Sequence, residues 1–453
     1  MKQRDTMLGT ESIGKLLVKL SVPAMIGMIV NALYNLVDAI FIGRGVGPLA
    51  IGALAISFPV LLLIAAVAMM LGVGAASVVS RNLGSGNRER AYTAAGNTLI
   101  ISVIFGIIIL VLGQIFIEPI LKVLGATDSL MEYAREYLSV LLFGSVFITF
   151  AMASNNLVRA EGRATVAMIS MVIGTGMNII LDPIFIFVLG MGIRGAATAT
   201  VISMFLSFLF LLLFFLGKKS SLELRLVHLK PDLSVLGEIV KLGLPIFARQ
   251  FGASFLVVII NNSLKLYGSD IYISAFGMVH RLLTFTIMPL FGLAQGFQPI
   301  VGYNFGAKQI PRVKHTLKLA LLVSTLLATA SFLVLMTFPR TLLSIFTTDS
   351  ELLDIGVSAI RLVILVLPLL GLQIIGSTYF QAVGKALPSL VLGMSRQIIL
   401  LLPLTLLLPL IFGVTGVWAA FPVADFLATV LTVIWLISEL RKLKPVRPGG
   451  RIS

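Results

Sequence analysis

The sequence predicts an all-α integral membrane protein, with twelve transmembrane helices arranged as two pseudo-symmetric six-helix lobes. Three observations support this fold. Hydrophobic residues make up 58% of the 453 residues, whereas charged residues make up only 12%, about half the share usual in soluble domains. Apolar runs of twenty or more residues recur along the whole chain. Short motifs of the first half also return, in the same order, in the second half.

Twelve apolar runs are each long enough to cross a hydrocarbon core as a helix, which satisfies its own backbone hydrogen bonds. The first is too long for a signal-peptide core, and no small-residue cleavage site follows it, so we interpret it as a retained span. The predicted spans are 15–43, 49–80, 92–116, 133–158, 164–189, 193–216, 236–265, 271–301, 316–336, 354–380, 387–411 and 416–438.

The longest polar segment divides the chain into two halves. We predict an N-terminal lobe over 1–216, a cytoplasmic connector over 217–241, a C-terminal lobe over 242–440 and a basic cytoplasmic tail over 441–453. By count, about 20 of the 34 Lys and Arg residues fall in the termini and the even-numbered loops. This bias predicts that both termini are cytoplasmic. It also accounts for the net charge of +15 without a nucleic-acid partner.

Five segments recur at an offset close to 222 residues. The pairs are 19–23 with 241–245, 82–84 with 304–306, 127–129 with 348–350, 159–164 with 381–386, and 192–195 with 413–416. Each half contains six spans, so the two copies have the same orientation and should be related by an axis along the membrane normal. Two repeated bundles around a central site favour a transporter with alternating access over a channel.

Two acidic residues fall within spans of the first half, where an ionisable group is costly and therefore indicates function. Asp38 lies on span 1 and Asp182 on span 5. At 1.5 Å per residue, both carboxyl groups lie roughly 8–12 Å below the outer end of their spans. Polar neighbours predicted at or near the same depth are Tyr34, Asn178, Thr198 and Thr200.

This cluster suits either a proton or a sodium ion. Two neighbouring carboxyl groups in a low dielectric do not both ionise easily, so they can hold a proton near neutral pH. Alternatively, the oxygens of Asp38, Asn178, Asp182 and Thr200 can surround a hard cation such as Na⁺. A structural alternative is that each aspartate caps a broken helix or pairs with a distant arginine, which the following Pro183 makes plausible for Asp182.

The second half carries mainly cationic groups within its spans. Arg249, Arg281 and Arg396 lie near mid-depth, and Asp425 lies at a comparable depth on span 12. One interpretation is an Arg–Asp network that holds the C-terminal lobe together. The other is a cationic patch that receives an anionic substrate.

No motif indicates an enzyme, a metal centre or a cofactor. The chain has no cysteine, its three histidines have no ligand spacing, and no phosphate-binding loop is present, so ATP is not expected to supply the energy. Methionines on spans 5 and 6, including Met171 and Met204, have flexible thioethers that suit varied apolar ligands. They are equally compatible with filling space in the membrane.

Several motifs resemble the multidrug and toxic compound extrusion (MATE) family over nearly the whole chain. They are Val22-Pro23, Asn35-Leu36-Val37-Asp38, Phe41-Ile42-Gly43, the segment 74–87, Arg159-Ala160-Glu161-Gly162, the segment 178–183 and the segment 298–306. Within the family, the chain resembles the branch named for DNA-damage-inducible protein F. A sibling branch with acids on spans 7 and 10 matches poorly, because span 7 here carries Arg249 and span 10 carries Arg361 and Gln373.

The resemblance implies a V-shaped pair of lobes and export of amphipathic, mostly cationic drugs by H⁺ or Na⁺ antiport, with no other cofactor. It also implies a monomer surrounded by lipids in a prokaryotic cytoplasmic membrane. By position, the cation-linked network would comprise Asp38, Tyr137, Asn178, Asp182 and Thr200. Pro23 would bend span 1, and the drug chamber would be lined by Asn31, Tyr34, Asn155, Met171 and Met204.

The alternative within the same superfamily is a lipid-linked saccharide flippase. It would share the fold, and arginines in the C-terminal lobe would suit a pyrophosphate. Twelve spans, where one flippase branch commonly has fourteen, and the acidic pair in the first half argue against it. A channel or a membrane receptor predicts neither a coupling acid nor a repeat divided by a polar connector.

Overall fold

The computed structural model of the protein describes residues 7–217 and 219–443. Within these ranges, the side chains of residues 34–36, 39, 40, 43, 44 and 48 are not described. The described chain is helical and has no β-strand. Eleven helices are long and apolar enough to cross a membrane, and a bent pair of helices brings the number to twelve when it is counted as one span. The predicted fold class is therefore confirmed.

In the described chain, six helices long enough to cross a membrane precede the connector. They are α1 (Ile13–Gly45), α2 (Pro48–Ser85), α3 (Arg88–Ile115), α4 (Asp128–Ala160), α5 (Ala164–Val188) and α6 (Gly192–Leu216). A short helix, Met7–Thr10, precedes α1, and another, Ile117–Val123, lies between α3 and α4.

In the described chain, six long helices follow the connector in the same pattern. They are α7 (Leu233–Tyr267), α8 (Asp270–Gly306), α9 (Ile310–Thr337), α10 (Ser350–Val363 with Leu367–Ala382), α11 (Ala386–Leu407) and α12 (Pro409–Lys442). A short helix, Pro339–Leu343, lies between α9 and α10. Each predicted span overlaps one of these helices, although most helices extend a few residues further.

Breaks in the helices follow the sequence repeat. In α4 a 3₁₀ turn interrupts the helix at Leu142–Gly144, and in α10 the two segments meet at a bend of 52° across residues 364–366. Gly162 and Gly384, which occupy equivalent places in the repeat, both have a left-handed φ, of 83° and 82°. Glycine adopts this conformation at no steric cost. The repeat therefore covers the interruptions as well as the spans.

The start of α12 differs from the predicted boundary. The predicted gap between spans 11 and 12 is 412–415, whereas α11 ends at Leu407 and α12 begins at Pro409. A non-helical residue, Gly413 (φ 56°, ψ −141°), interrupts the first turns of α12. Its repeat equivalent, Gly192, has a φ of 57°. The predicted boundary thus corresponds to this kink inside the helix.

The contacts divide the chain into two compact units that do not coincide with the halves of the sequence. The first unit contains Ile26–Gly243, and the second contains Leu8–Met25 together with the described residues from 244 onward. Both α1 and α7 are therefore divided between the units, directly beside the repeat-equivalent prolines Pro23 and Pro245. A proline inside a helix removes one backbone hydrogen bond, so both helices are weakened at the point of division.

Small residues let each divided helix approach its neighbour. In the first unit, a Cβ on Gly74 of α2 would overlap with the backbone oxygen of Ile239 on α7. In the second unit, a Cβ on Gly296 of α8 would overlap with Ser21 on α1. Gly74 and Gly296 are separated by the repeat offset. Close approach through small residues is a common basis of helix packing in membranes.

The connector is attached to the first unit by buried polar contacts. The Asn97 side chain on α3 donates to the carbonyl oxygens of His228 (2.9 Å) and Lys230 (2.8 Å) and accepts from the Asp232 amide (2.6 Å). The Glu161 carboxylate, in the turn between α4 and α5, accepts hydrogen bonds from Ser220 and Ser221. The residues of the connector that the structure describes therefore form a strap that these hydrogen bonds hold against the first unit.

We expect Asn97→Ala to loosen this strap. Three hydrogen bonds would be lost at a buried position, a cost on the order of 3 kcal/mol. Trypsin should then cut the connector, for example after Arg225, about tenfold faster or more. Asn82→Ala is the matched control, because the Asn82 side chain bonds within its own helix, to the Val78 carbonyl. Equal cleavage rates in the two variants would contradict this account of the connector.

Candidate functional site

The candidate site is a polar cluster inside the first unit, built from α1, α5 and α6. Asp38 on α1 and Asp182 on α5 have carboxyl groups within hydrogen-bonding reach of one another. Both are buried, with 9% and 0% of their surface exposed. The estimate of equal depth from helical rise agrees with this contact. It did not determine the rotation that turns both side chains toward each other.

Asn178 connects the acidic pair to α6. Its side-chain amide donates to Asp182 Oδ1 at 3.2 Å and to Thr200 Oγ1 at 3.1 Å. The Thr200 hydroxyl in turn donates to the Ala196 carbonyl at 3.0 Å. Asn178 and Asp182 are four residues apart, which places them on the same face of α5. All three side chains are buried, so the network is protected from water.

Tyr137 of α4 forms the apolar boundary of the cluster. It is buried and lies within electrostatic range of both Asp38 and Asp182. It belongs to a core of apolar side chains that includes Ile42 and Ile186. The structure thus brings together all five residues that the family resemblance assigned to the network.

Three oxygen atoms in this cluster have no hydrogen-bond partner among the side chains that the structure describes. They are Asp38 Oδ1, Asp182 Oδ2 and Asn178 Oδ1. Buried polar atoms are normally paired, and an unpaired one is costly. A proton shared by the carboxyl groups would remove part of this cost, and so would a cation ligated by the oxygens. The geometry is therefore chemically suited to taking up a positive charge.

The backbone changes form directly after Asp182. Regular α-helix ends at Pro183, and a π-helical turn spans Ile184–Val188. A proline in a helix leaves a carbonyl without its usual donor, and π-helical turns occur frequently at functional sites. The Asp-Pro pair in the sequence indicated a local break but did not specify its form.

Thr198 lies apart from the cluster, although its position in the sequence predicted a similar depth. Its side chain is partly exposed, and its hydroxyl donates to the Arg194 carbonyl. Thr198 and Thr200 are two residues apart and so point about 200° away from each other around α6. Depth alone could not distinguish them.

The residues predicted to line a drug chamber have varied surroundings. Asn31 is exposed on α1, whereas Asn155 is buried on α4 with its side-chain oxygen unpaired among the described residues. Met171 packs against α1 at Gly27, and Met204 packs against Gly144 at the break in α4. The Tyr34 side chain lies outside the described residues. Their role as a drug-binding surface stays a prediction.

In the second unit, the structure separates the predicted cationic residues. Arg396 donates through Nε to the Asp425 carboxylate. Arg249 lies with its guanidinium over the Phe291 ring, 4.8 Å from the ring centroid. Arg281 is exposed and is not among the residues that line the cavity beside Arg249 and Arg396. The predicted Arg–Asp network therefore consists of one pair, with Arg249 nearby and Arg281 apart.

Sequence reasoning missed a stripe of small polar residues that packs α5 on α6. Ser170 and Ser207 are joined at 2.7 Å through their buried hydroxyls. Ser170, Gly174, Asn178 and Asp182 follow one another at four-residue intervals on α5. This spacing was visible in the sequence and is typical of close helix packing in membranes.

Among the described residues, no group of three or more His, Cys, Asp or Glu side chains is placed to hold a metal ion. The cluster offers two carboxyl groups, an amide and a hydroxyl, which is a set suited to a singly charged cation.

We expect Asn178→Ala to weaken the network without removing its acids. Asp182 would lose a hydrogen bond, and the link to Thr200 would break. Loss of a bond to a charged group costs about 1.5–3 kcal/mol, so the transport that the family resemblance implies should fall by about tenfold or more. Thr198→Ala is the control on the opposite side of α6 and should transport normally. The comparison is initial dye efflux at equal expression, and equal rates would contradict a role for Asn178.

A family model described as MatE matches residues 23–184 and 245–434 of the chain. These two matched segments correspond to the two copies of the internal repeat. Together they cover more than half of the 453 residues.

Individual relatives match over nearly the full length. The multidrug export protein MepA of Staphylococcus haemolyticus is 26% identical over 432 residues, covering 95% of each chain. A solved structure of a protein described as the MATE multidrug transporter DinF-BH is 44% identical, with a TM-score of 0.89, covering 96% of this chain and 97% of its own. An outward-facing multidrug resistance MATE family transporter of the MOP superfamily is 30% identical, with a TM-score of 0.92, covering 97% and 99%.

Proposed function

The chain belongs to the MATE family of multi-pass membrane transporters, and we propose that it is a secondary active multidrug exporter. It would expel amphipathic, mostly cationic organic compounds in exchange for protons, or for sodium ions, by alternating access. Relatives of similar length are described as multidrug export proteins, and this supports export of drugs.

One observation carries the proposal of cation coupling. Two buried carboxyl groups lie within reach of each other, and the described cluster leaves three of its oxygens without partners. Two such groups do not readily ionise together in a low dielectric. Taking up one proton relieves their repulsion, and releasing it restores two charges. We favour the proton for this reason, while sodium would be ligated by the same oxygens.

The proposed mechanism links this proton to the shape of α1. Ionised, Asp38 accepts hydrogen bonds only, whereas in its neutral form it also donates one. Protonation would therefore rearrange its contacts with α5. Asp38 lies on the same helix as Pro23, where α1 lacks a backbone hydrogen bond. Repacking of α1 would then alter the drug site, so that drug and proton compete through conformation.

The charge distribution in the sequence supports a proposal for the orientation of the protein in the membrane. We propose that both termini face the cytoplasm of a prokaryotic cell and that the protein acts as a monomer in the inner membrane. The excess of Lys and Arg in the termini and even-numbered loops supports this placement, since positive loops remain on the cytoplasmic side.

The test of the proposed function is accumulation of a cationic dye, such as ethidium, in cells that lack their own exporters. Cells that produce this protein should accumulate less dye than cells with an empty vector. Collapsing the proton gradient with an ionophore should abolish the difference if protons drive export, and removing sodium should do so if sodium does. No difference between producing and empty cells would contradict the proposal.

A further inference from the structure

The second unit contains a polar cavity away from the acidic cluster of the first unit. Its volume is about 150 Å³, and it lies among α7, α8, α10 and α11. Its apolar walls include Ile287, Phe291 and Leu370. Between these walls, four side chains provide N–H or O–H donors. They are Gln250, Gln373, Ser377 and Gln397.

The only charged side chains among the residues that line this cavity are two arginines, Arg249 and Arg396. Arg396 is neutralised by Asp425, to which it donates a hydrogen bond. Arg249 has an aromatic contact with Phe291 and a cationic neighbour in Arg396. No carboxylate of the described chain pairs with it. The cavity therefore carries one positive charge that nothing described balances.

The backbone of α11 positions two of the polar side chains that line the cavity. A π-helical turn spans Ser395–Leu401 and carries both Arg396 and Gln397 at its start. Another π-helical turn, in the first unit, directly follows Asp182 and Pro183. Such turns recur at functional sites in other proteins. In this chain each of the two is adjacent to a buried or half-buried ionisable group, acidic in one unit and basic in the other.

A purely structural role for Arg249 fits these contacts poorly. The same unit shows how a structural arginine is accommodated, because Arg396 has its carboxylate. Arg249 instead lies half-buried against an aromatic ring and has no carboxylate partner among the described residues, so the cost of burying its charge is not offset. An anion in the cavity would remove that cost. A planar guanidinium also recognises the two oxygens of a carboxylate or phosphate in a bidentate manner.

We propose that this cavity binds the singly charged oxyanion headgroup of a small amphipathic molecule, with Arg249 as its principal partner. The single unbalanced charge sets the charge of the ligand, and the apolar walls receive its hydrocarbon part. Carboxylates of soluble organic acids and phosphodiesters of lipids share this chemistry. The site is separate from the proposed cation coupling and does not depend on it.

The test measures binding of para-trifluoromethylbenzoate to the purified full-length protein in phosphatidylcholine nanodiscs, by fluorine NMR. Wild type should bind the probe saturably. Arg249→Gln should weaken binding by about tenfold or more, because a charge-assisted bidentate contact is lost. Arg281→Gln, which removes an exposed arginine of the same unit, should bind like wild type. Absence of saturable binding to wild type, or equal binding by both variants, would overturn the proposal.

Two further measurements distinguish the site from a general effect on folding. Asp425→Asn should tighten binding, because Arg396 then contributes a second unbalanced charge, and an unchanged or weaker affinity would count against the proposal. If Arg249→Gln does not elute as a monodisperse protein, the affinity of Asp425→Asn for the probe tests the proposal in its place. Replacing phosphatidylcholine by phosphatidylglycerol identifies the source of the anion. Competition with the probe would support a lipid headgroup, and unchanged affinity would support a soluble organic acid.

Discussion

Asp38→Asn should reduce drug export to the level of cells that carry an empty vector, while the protein still folds and inserts. Asparagine has nearly the same shape as aspartate, so packing in the buried site is preserved. It cannot release or take up a proton near neutral pH, nor supply a carboxylate to a cation. The variant would therefore remain in one state of the cycle, and alternating access would lose its driving ion.

The readouts are dye efflux and drug resistance, normalised to the amount of protein in the membrane. Asp270→Asn is the matched control, because Asp270 is an exposed acid at the start of α8, and it should export like wild type. Asp38→Glu keeps the charge but lengthens the side chain, and we expect partial activity from it. Full drug resistance in cells with Asp38→Asn would show that this carboxyl group is not the coupling group.

Asp182→Asn should have the second largest effect, because Asp182 is fully buried and interacts with Asp38. Export should again fall to background. When two ionisable groups interact, their apparent pKa values are properties of the pair and not of either residue. Each single variant should therefore flatten the pH dependence of drug binding. The double variant should flatten it little further.

Drug affinity measured across pH in both single variants and in the double variant tests this coupling. Non-additive effects are expected for residues in direct contact. If the pH dependence of affinity stays unchanged in both single variants, the two acids are structural and the coupling site lies elsewhere. If the effects of the two substitutions simply add, the acids act independently.

Much of the fold followed from the sequence because membrane helices are long and regular. Apolar runs fixed the spans, and the rise per residue converted positions in the sequence into depths. Asp38 and Asp182 were placed at one level for that reason, and the structure brings them together. The prolines Pro23 and Pro183 indicated where the helices would be weakened.

The rotation of each helix about its axis, and the pairing of side chains between helices, were harder to predict from the sequence. Thr198 and Thr200 share a depth, and only packing of α6 against α5 shows that Thr200 faces Asn178. The arginines of the second half likewise looked alike in sequence. Their separation into a paired Arg396 and an unbalanced Arg249 depends on which side chains neighbouring helices present.

The connector and the divided helices depend on long-range contacts that no local pattern encodes. Asn97 lies within an apolar span, more than a hundred residues before the backbone atoms that it binds. The division of α1 and α7 between the two units is accompanied by the close approach of Gly74 to Ile239 and of Gly296 to Ser21. The repeat contained these residues, but their contacts could be identified only in three dimensions.

The measurement that tests the central claim most directly is drug affinity across pH at fixed sodium, and then across sodium at fixed pH, for wild type and Asp38→Asn. Antiport with one proton predicts that wild-type affinity rises with pH, by up to about tenfold per pH unit. Asp38→Asn should show no such rise. A sodium-coupled protein would lose drug affinity as sodium increases, again only with Asp38 intact. If neither cation changes affinity in wild type, the acidic cluster of α1, α5 and α6 does not couple cation and drug.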